Sequence, residues 1–162
     1  MRWYLALSLA PLALGSHTNI GEVASQGAPS AIGRGGFNIQ HDASRKDSSF
    51  HEIGTASVNF KFYGGSSPSG TMLYAAEDHH ESRYPHVVVR LSQIKSLTFE
   101  GKTAHVLGEG EYHDEVASIE VIMVDSGLKT KGDRFTIRVR QGDMVMYERS
   151  SELGIGDIQV NP

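Results

Sequence analysis

The sequence predicts an all-β fold, a single antiparallel β-barrel-like or β-sandwich domain of about 8–10 short strands. Polar and apolar side chains alternate over several short segments, and residues typical of turns separate these segments. No long window carries apolar residues at helical spacing. The chain of 162 residues is of the length expected for one domain. Alternation is shared by barrels and sandwiches, so both architectures remain open.

Residues 1–15 have the features of a signal peptide. Arg2 precedes the apolar residues 3–14, and Ala13-Leu14-Gly15 places small residues where signal peptidase cuts. A helix of about twelve residues would span about 18 Å, against about 30 Å of hydrocarbon core. The segment therefore predicts a secreted or periplasmic protein with no membrane span after cleavage. An N-terminal core helix is the alternative.

Residues 16–35 are rich in small and polar residues without a sustained period, which predicts a flexible leader. The β domain is predicted to cover residues 36–162. Its clearest strands are residues 55–63 and 135–140, where apolar side chains occupy every second position. The apolar positions of the clearest strands predict an inner layer of Phe60, Phe62, Leu97, Phe99, Val121, Phe135, Ile137 and Val139.

Further strands are predicted over residues 71–76, 85–91, 96–99, 102–111, 116–125, 143–148 and 155–160. Residues 64–70, 100–101, 125–127 and 141–143 supply the intervening turns. Close spacing of these turns predicts an antiparallel meander.

Composition excludes several classes of function. Fifteen Lys and Arg against nineteen Asp and Glu give a net charge of −4, which argues against a nucleic-acid partner. The absence of cysteine excludes disulfides, thiolate metal sites and cysteine nucleophiles. An exported domain without cysteine is more typical of bacteria than of eukaryotes.

A series of short motifs follows in order along the chain. They are Ser69-Gly-Thr-Met-Leu-Tyr74, Ile94-Lys-Ser-Leu-Thr-Phe-Glu-Gly-Lys-Thr-Ala104, Gly108-Glu-Gly110, a strand ending in Asp125, Gly132-Asp-Arg-Phe-Thr-Ile-Arg138 and Gly154-Ile-Gly-Asp-Ile-Gln-Val160. Their order and spacing resemble the post-COAP-1-type β domain of secreted bacterial proteins. The resemblance covers about residues 54–160. It implies a β fold and export far more than it implies any particular chemistry.

One turn departs from the pattern of that family. Many members have Asn-Gly after the Gly-x-Gly strand, which suits a tight type I′ hairpin. This chain has Tyr112-His-Asp-Glu115 instead. The departure leaves the conformation of the hairpin open.

Two sets of histidines are candidate ligands for zinc or copper. His79 and His80 lie between Asp78 and Glu81, with His86 nearby, although a solvated polar loop is the simpler interpretation. His105 and His113 should share one face of a strand with two glutamates. That face has the groups for cation binding or acid–base chemistry, or it is the solvated side of an edge strand.

Asp125 and Asp133 close a loop that contains two flexible glycines. Carboxylates in such loops bind calcium, but Lys129 and Lys131 lie between them and would oppose the cation. In the alternative interpretation, Asp125 caps the turn and Asp133 pairs with a neighbouring arginine.

Arg134, Arg138 and Arg140 form a basic stripe on one strand face. Their guanidinium groups could hold an anionic glycan or a phosphate. Cross-strand pairing with outward acids such as Glu120 is the alternative. The sequence contains no Gly-x-Ser-x-Gly motif that would identify a nucleophilic serine.

Two functions follow from these patterns. The first is an exported, non-catalytic binding or structural module that needs no cofactor and has a polysaccharide, a surface protein or a small ligand as partner. Its stacking surfaces would come from Phe37, Tyr63, Tyr74, Tyr84, Tyr112 and Tyr147. The second is a small protein that binds calcium, zinc or copper, or an enzyme assisted by such a metal.

Overall fold

The computed structural model describes residues 27–40, 52–78, 86–128 and 132–162. These residues form one sheet of nine antiparallel strands, which confirms the predicted fold class. Among the described residues, no helix has the length and apolar character needed to cross a membrane.

Each strand except the last is followed in the sheet by its sequence neighbour, and β9 returns to pair with β1. The strand order is therefore β8-β7-β6-β5-β4-β3-β2-β1-β9. The strands are β1 (Ser30–Gln40), β2 (Glu52–Tyr63), β3 (Ser69–Asp78), β4 (His86–Glu100), β5 (Thr103–Tyr112), β6 (Glu115–Val124), β7 (Arg134–Gln141), β8 (Met144–Glu152) and β9 (Ile155–Asn161).

The sheet curls so that one face becomes the core. The predicted inner layer is buried on β2, β6 and β7, whereas Leu97 and Phe99 on β4 are partly buried and pack against it. Within this core, the hydroxyl oxygens of Tyr74 and Tyr147 lie 2.7 Å apart and form a buried hydrogen bond. Both phenol groups therefore have a polar partner inside an apolar layer.

Four of the aromatic residues predicted to form stacking surfaces are part of this core. Phe37, Tyr74, Tyr112 and Tyr147 are each at most 4% exposed. Their positions are inward-facing on their strands, so their rings pack in the core and stabilise the domain. Tyr84 lies outside the described residues.

The Gly-x-Gly motif shapes the curl. Gly108 and Gly110 face β4 where the pairing register of β4 shifts twice. A Cβ atom at Gly110 would lie 1.8 Å from the carbonyl oxygen of Arg90, and one at Gly108 would lie 2.3 Å from that of Gln93. Only glycine permits this close approach, which lets the long strand β4 bend across β5.

The first strand starts inside the predicted leader. β1 begins at Ser30, whereas the sequence predicted a leader over residues 16–35. Because Gly33, Gly35 and Gly36 have no side chains, β1 shows little of the alternation of apolar and polar residues that predicts a strand. The strands predicted separately over residues 85–91 and 96–99 correspond to one strand, β4, over residues 86–91 and 96–99, and residue 85 lies outside the described residues.

β8 and β9 bring the two ends of the sheet together. β8 pairs with β7, and after Leu153-Gly154 the chain pairs with β1 over Ser30–Gly36. At this junction the N–H of Leu153 donates to the carbonyl of Asp133, and the N–H of Gly154 donates to the carbonyl of Gly36. The sheet is a curled half-barrel whose ends meet at this junction.

Candidate functional site

A row of charged side chains crosses the outer face of four neighbouring strands. His105 Nε2 lies 2.9 Å from Glu120 Oε1, and Arg138 donates to Glu120 Oε2 at 3.1 Å and to Glu148 Oε1 at 2.6 Å. These four residues, here called the outer charge row, confirm the predicted pairing of Arg138 with Glu120. The hydrogen bond from Arg138 lowers the pKa of Glu148 below its ordinary value and outweighs the opposing effect of partial burial.

The outer charge row places an imidazole beside a carboxylate, as acid–base chemistry would require. It lies on the outer face of the sheet, and none of its residues lines the groove described below. β5 also lies between β4 and β6, so the alternative of an edge strand is wrong. These contacts are cross-strand pairs that stabilise the sheet.

The predicted histidine clusters do not come together among the described residues. A shared strand face was predicted for a strand that includes His113, but β5 ends at Tyr112 and His113 lies in the turn that follows. Seven steps of about 3.3 Å place His105 roughly 23 Å from that end of β5. His86 Nδ1 lies 3.9 Å from Glu77 Oε1, with both side chains exposed. His79 and His80 lie outside the described ranges.

The glutamates between His105 and His113 have partners of their own. Glu109 contacts Lys95, and a carboxylate oxygen of Glu111 lies 3.7 Å from Arg90 Nη1. The described part of the chain contains no group of three or more His, Asp or Glu side chains suited to hold a metal ion. The zinc and copper hypothesis stays a prediction.

The divergent turn after β5 is a tight hairpin. His113 and Asp114 have φ angles of 50° and 64°. Positive φ at both central residues is the mark of a type I′ turn, which Asn-Gly would adopt with less strain. The turn that the sequence left open is therefore a tight hairpin with His113 and Asp114 as its central residues.

Asp125 and Asp133 lie where β9 approaches the loop between β6 and β7. Asp125 accepts hydrogen bonds from the N–H of Gly127 at 2.7 Å and that of Val160 at 3.1 Å. Lys102 Nζ donates to Asp125 at 3.2 Å and to the carbonyl of Val160 at 3.0 Å. Together, Asp125 and Lys102 bind the N–H and the C=O of Val160, as a neighbouring strand would.

Asp133 is 3% exposed, and its carboxylate, like that of Asp125, accepts a hydrogen bond from a backbone N–H of β9. Its Oδ2 accepts from the N–H of Ile158 at 2.7 Å, and its Oδ1 accepts from the N–H and the hydroxyl of Ser126, each at 2.9 Å. The predicted turn cap at Asp125 is confirmed. Asp133 accepts hydrogen bonds from Ser126 and Ile158, whereas the alternative interpretation of the sequence paired it with an arginine. Every oxygen of the Asp125 and Asp133 carboxylates accepts a hydrogen bond from a donor of the chain.

These contacts predict acid sensitivity at Asp125. Its burial acts to raise the pKa, but hydrogen bonds from Val160, Gly127 and Lys102 hold the pKa below its ordinary value. A lowered folded-state pKa gives stability that is complete above the unfolded pKa of about 3.9 and is lost as the pH falls through the folded value. We expect Asp125→Asn to be less stable at neutral pH and to lose less stability on acidification than the unmodified protein.

The measurement is the free energy of unfolding at a series of pH values from about 7 to about 2. Asp143→Asn, in the exposed turn before β8, is the matched control and should follow the unmodified protein. An acid-induced loss in Asp125→Asn as large as in the control would contradict the prediction.

A groove of about 900 Å³ opens beside the β8–β9 junction. It lies between β1 and β2 on one side and the ends of β7 and β8 on the other, where β1 has passed its pairing with β9. This groove, here called the seam groove, is lined by Gly36, Phe37, Asn38, Thr55, Ala56, Ser57, Arg134, Ser150, Ser151, Glu152, Gly154 and Ile155.

The seam groove combines a polar wall with an apolar floor. Phe37 and Ala56 belong to the buried core layer, whereas Thr55, Ser57 and Ser150 face solvent. Its size falls within the usual range of ligand sites, about 300–1,000 Å³. The hydroxyl residues were not among the predicted site residues. Their only signals in the sequence are the adjacent Ser150-Ser151 and the outward positions of Thr55 and Ser57.

The three arginines of the predicted basic stripe have different environments. Arg138 is held by Glu120 and Glu148, and Arg140 is exposed on the same strand away from the groove. Arg134 lines the seam groove. Among the described residues, the guanidinium group of Arg134 forms no ion pair and donates no hydrogen bond. The structure therefore separates one available guanidinium from the stripe.

Comparisons with protein-family models, curated proteins and solved structures found no match to this chain. The resemblance to the post-COAP-1-type domain stays a prediction.

Proposed function

We propose that this protein is an exported, non-catalytic binding module and that the seam groove is its ligand site. The observation that carries the proposal is an open groove of ligand size beside a junction stabilised by hydrogen bonds. Export is inferred from the signal-like residues 1–15 and from the family resemblance.

The lining supports binding in preference to catalysis. It offers serine and threonine hydroxyls, one arginine and one glutamate, but no histidine. Glu152 is the only carboxylate among these residues, so the paired acid and base of a hydrolase are absent from the described groove. Such a lining favours a polar ligand held by several hydrogen bonds above an apolar floor.

A blocking substitution tests the proposal. Ser57→Trp places a large side chain at the groove, whereas Asn59→Trp places the same side chain two residues along β2, on the same outer face and outside the lining. We expect a ligand found by screening polysaccharides, peptides and small molecules to lose its affinity for Ser57→Trp and to keep it for Asn59→Trp. Isothermal titration calorimetry measures both affinities.

Equal binding by the two variants would place the ligand elsewhere and overturn the assignment of the groove. Turnover of a bound polysaccharide or ester would overturn the non-catalytic part of the proposal. Far-ultraviolet circular dichroism and thermal unfolding show whether each variant keeps the fold, so a lost affinity cannot be mistaken for lost structure.

A further inference from the structure

We propose that the ligand of the seam groove is an anionic glycan, a sugar chain whose carboxylate or sulfate group pairs with Arg134. This inference rests on the proposed function, because it names the ligand class of the same site. Three features of the groove support it: an available guanidinium, a wall of hydroxyl groups and a neighbouring strand edge that is already capped.

Arg134 is placed to receive an acidic group. It begins β7, is exposed, and lies opposite Glu152 in the strand register without forming an ion pair with it. Glu152 instead accepts a hydrogen bond from the N–H of Gly132 at 2.8 Å. A guanidinium has two parallel N–H donors that match a carboxylate or sulfate, and such a pair is shorter and stronger than a neutral hydrogen bond.

The remaining polar groups of the groove suit sugar hydroxyls. Thr55 and Ser57 lie on one wall, and Ser150 and Ser151 lie on the other. Ser150 is oriented by a hydrogen bond of 2.8 Å between its hydroxyl and that of Thr136. A serine or threonine hydroxyl both donates and accepts, so each matches a sugar hydroxyl in either role.

The edge of β8 argues against an extended peptide as the occupant. Because the N–H of Leu153 points to β7, strand alternation directs the backbone groups of Glu148, Ser150 and Glu152 to the open side. The carbonyl of Glu148 accepts from Arg149 at 2.7 Å, and that of Glu152 accepts from the Ser151 hydroxyl at 3.3 Å. Two of these three carbonyls are therefore occupied, and an added strand would have to displace both side chains.

The test measures binding of three polymers to the protein by biolayer interferometry. Polygalacturonate carries carboxylates, dextran sulfate carries sulfates, and dextran is neutral. We expect one or both anionic polymers to bind and dextran to bind at least about tenfold more weakly. The anionic polymer that binds more tightly identifies the acidic group.

Two arginine variants separate a specific contact from general attraction. Arg134→Ala and Arg140→Ala each remove one positive charge from the same face of β7, but only Arg134 lines the groove. We expect Arg134→Ala to weaken binding of the anionic polymer by about tenfold or more and Arg140→Ala to change it by less than about twofold. Arg134→Lys keeps the charge without the paired donors and should recover part of the loss.

Several results would overturn this inference. One is an equal loss of affinity for the anionic polymer in Arg134→Ala and Arg140→Ala. Another is binding of dextran as tight as that of the anionic polymers. A third is displacement of the polymer by an extended peptide that the Ser57→Trp variant no longer binds. Failure of all three polymers, with another ligand still lost in Ser57→Trp, would overturn the glycan assignment and leave the proposed function intact. If polymer binding is unchanged in Ser57→Trp, both proposals are wrong.

Discussion

Replacing Phe135 with alanine is expected to lower the free energy of unfolding by about 3–5 kcal/mol. Phe135 is fully buried on β7 and its ring centroid lies 6.0 Å from that of Tyr74, 6.1 Å from that of Phe60 and 6.3 Å from that of Phe37. The substitution removes apolar contacts from three other strands and leaves a cavity between them. Because a small domain is stabilised by only about 5–15 kcal/mol, this loss is a large part of the total.

Equilibrium denaturation in urea measures this loss, with Arg138→Ala as the comparison on the opposite face of β7. Arg138 is held by two acids on the outer face of the sheet, so its removal is expected to cost much less than that of Phe135. A loss below about 1 kcal/mol for Phe135→Ala would show that the assigned inner face of β7 is wrong.

Side-chain alternation predicts the strands whose two faces differ most. β2 and β7 carry apolar residues at every second position and polar residues between them, because one face is the core and the other meets water. β1 does not show this pattern, since Gly33, Gly35 and Gly36 have no side chains to alternate. The sequence therefore predicts the middle of the sheet better than its first strand.

The seam groove could not be predicted from these local patterns. It exists because β8 pairs with its sequence neighbour β7, whereas β9 pairs with β1, a strand that lies far from it in the sequence. Alternation correctly places Arg134 and Arg138 on one face of β7. It does not indicate that Glu120 and Glu148 accept hydrogen bonds from Arg138 and not from Arg134. Which arginine has acidic partners is decided by the sheet register and not by the spacing of the arginines along the chain.

Removing the carboxylate of Asp133 should be as damaging as removing the ring of Phe135, although Asp133 is polar. Its carboxylate accepts three hydrogen bonds, and its backbone carbonyl accepts a fourth from Leu153. Asp133 therefore binds the chain both at the β8–β9 junction and within β9. Asp133→Ala leaves the N–H groups of Ser126 and Ile158 without this acceptor, and Ile158 is buried. An unsatisfied buried donor costs about 1–3 kcal/mol, and loss of hydrogen bonds to a charged group adds to this, so we expect a total of about 3–5 kcal/mol.

Two measurements distinguish this role from a general loss of charge. Urea denaturation should show a large loss for Asp133→Ala, a smaller loss for Asp133→Asn, which keeps one acceptor oxygen, and little change for Asp143→Ala in the exposed turn. Native-state hydrogen exchange should show faster exchange at the amide of Ile158 in Asp133→Ala than in the unmodified protein, with a smaller change at the core amide of Val139, because β9 loses the contact that holds its open edge. Unchanged protection of Ile158, together with stability equal to that of Asp143→Ala, would show that β9 is held by its pairing with β1 alone. The seam groove would then lie beside a junction that does not depend on Asp133.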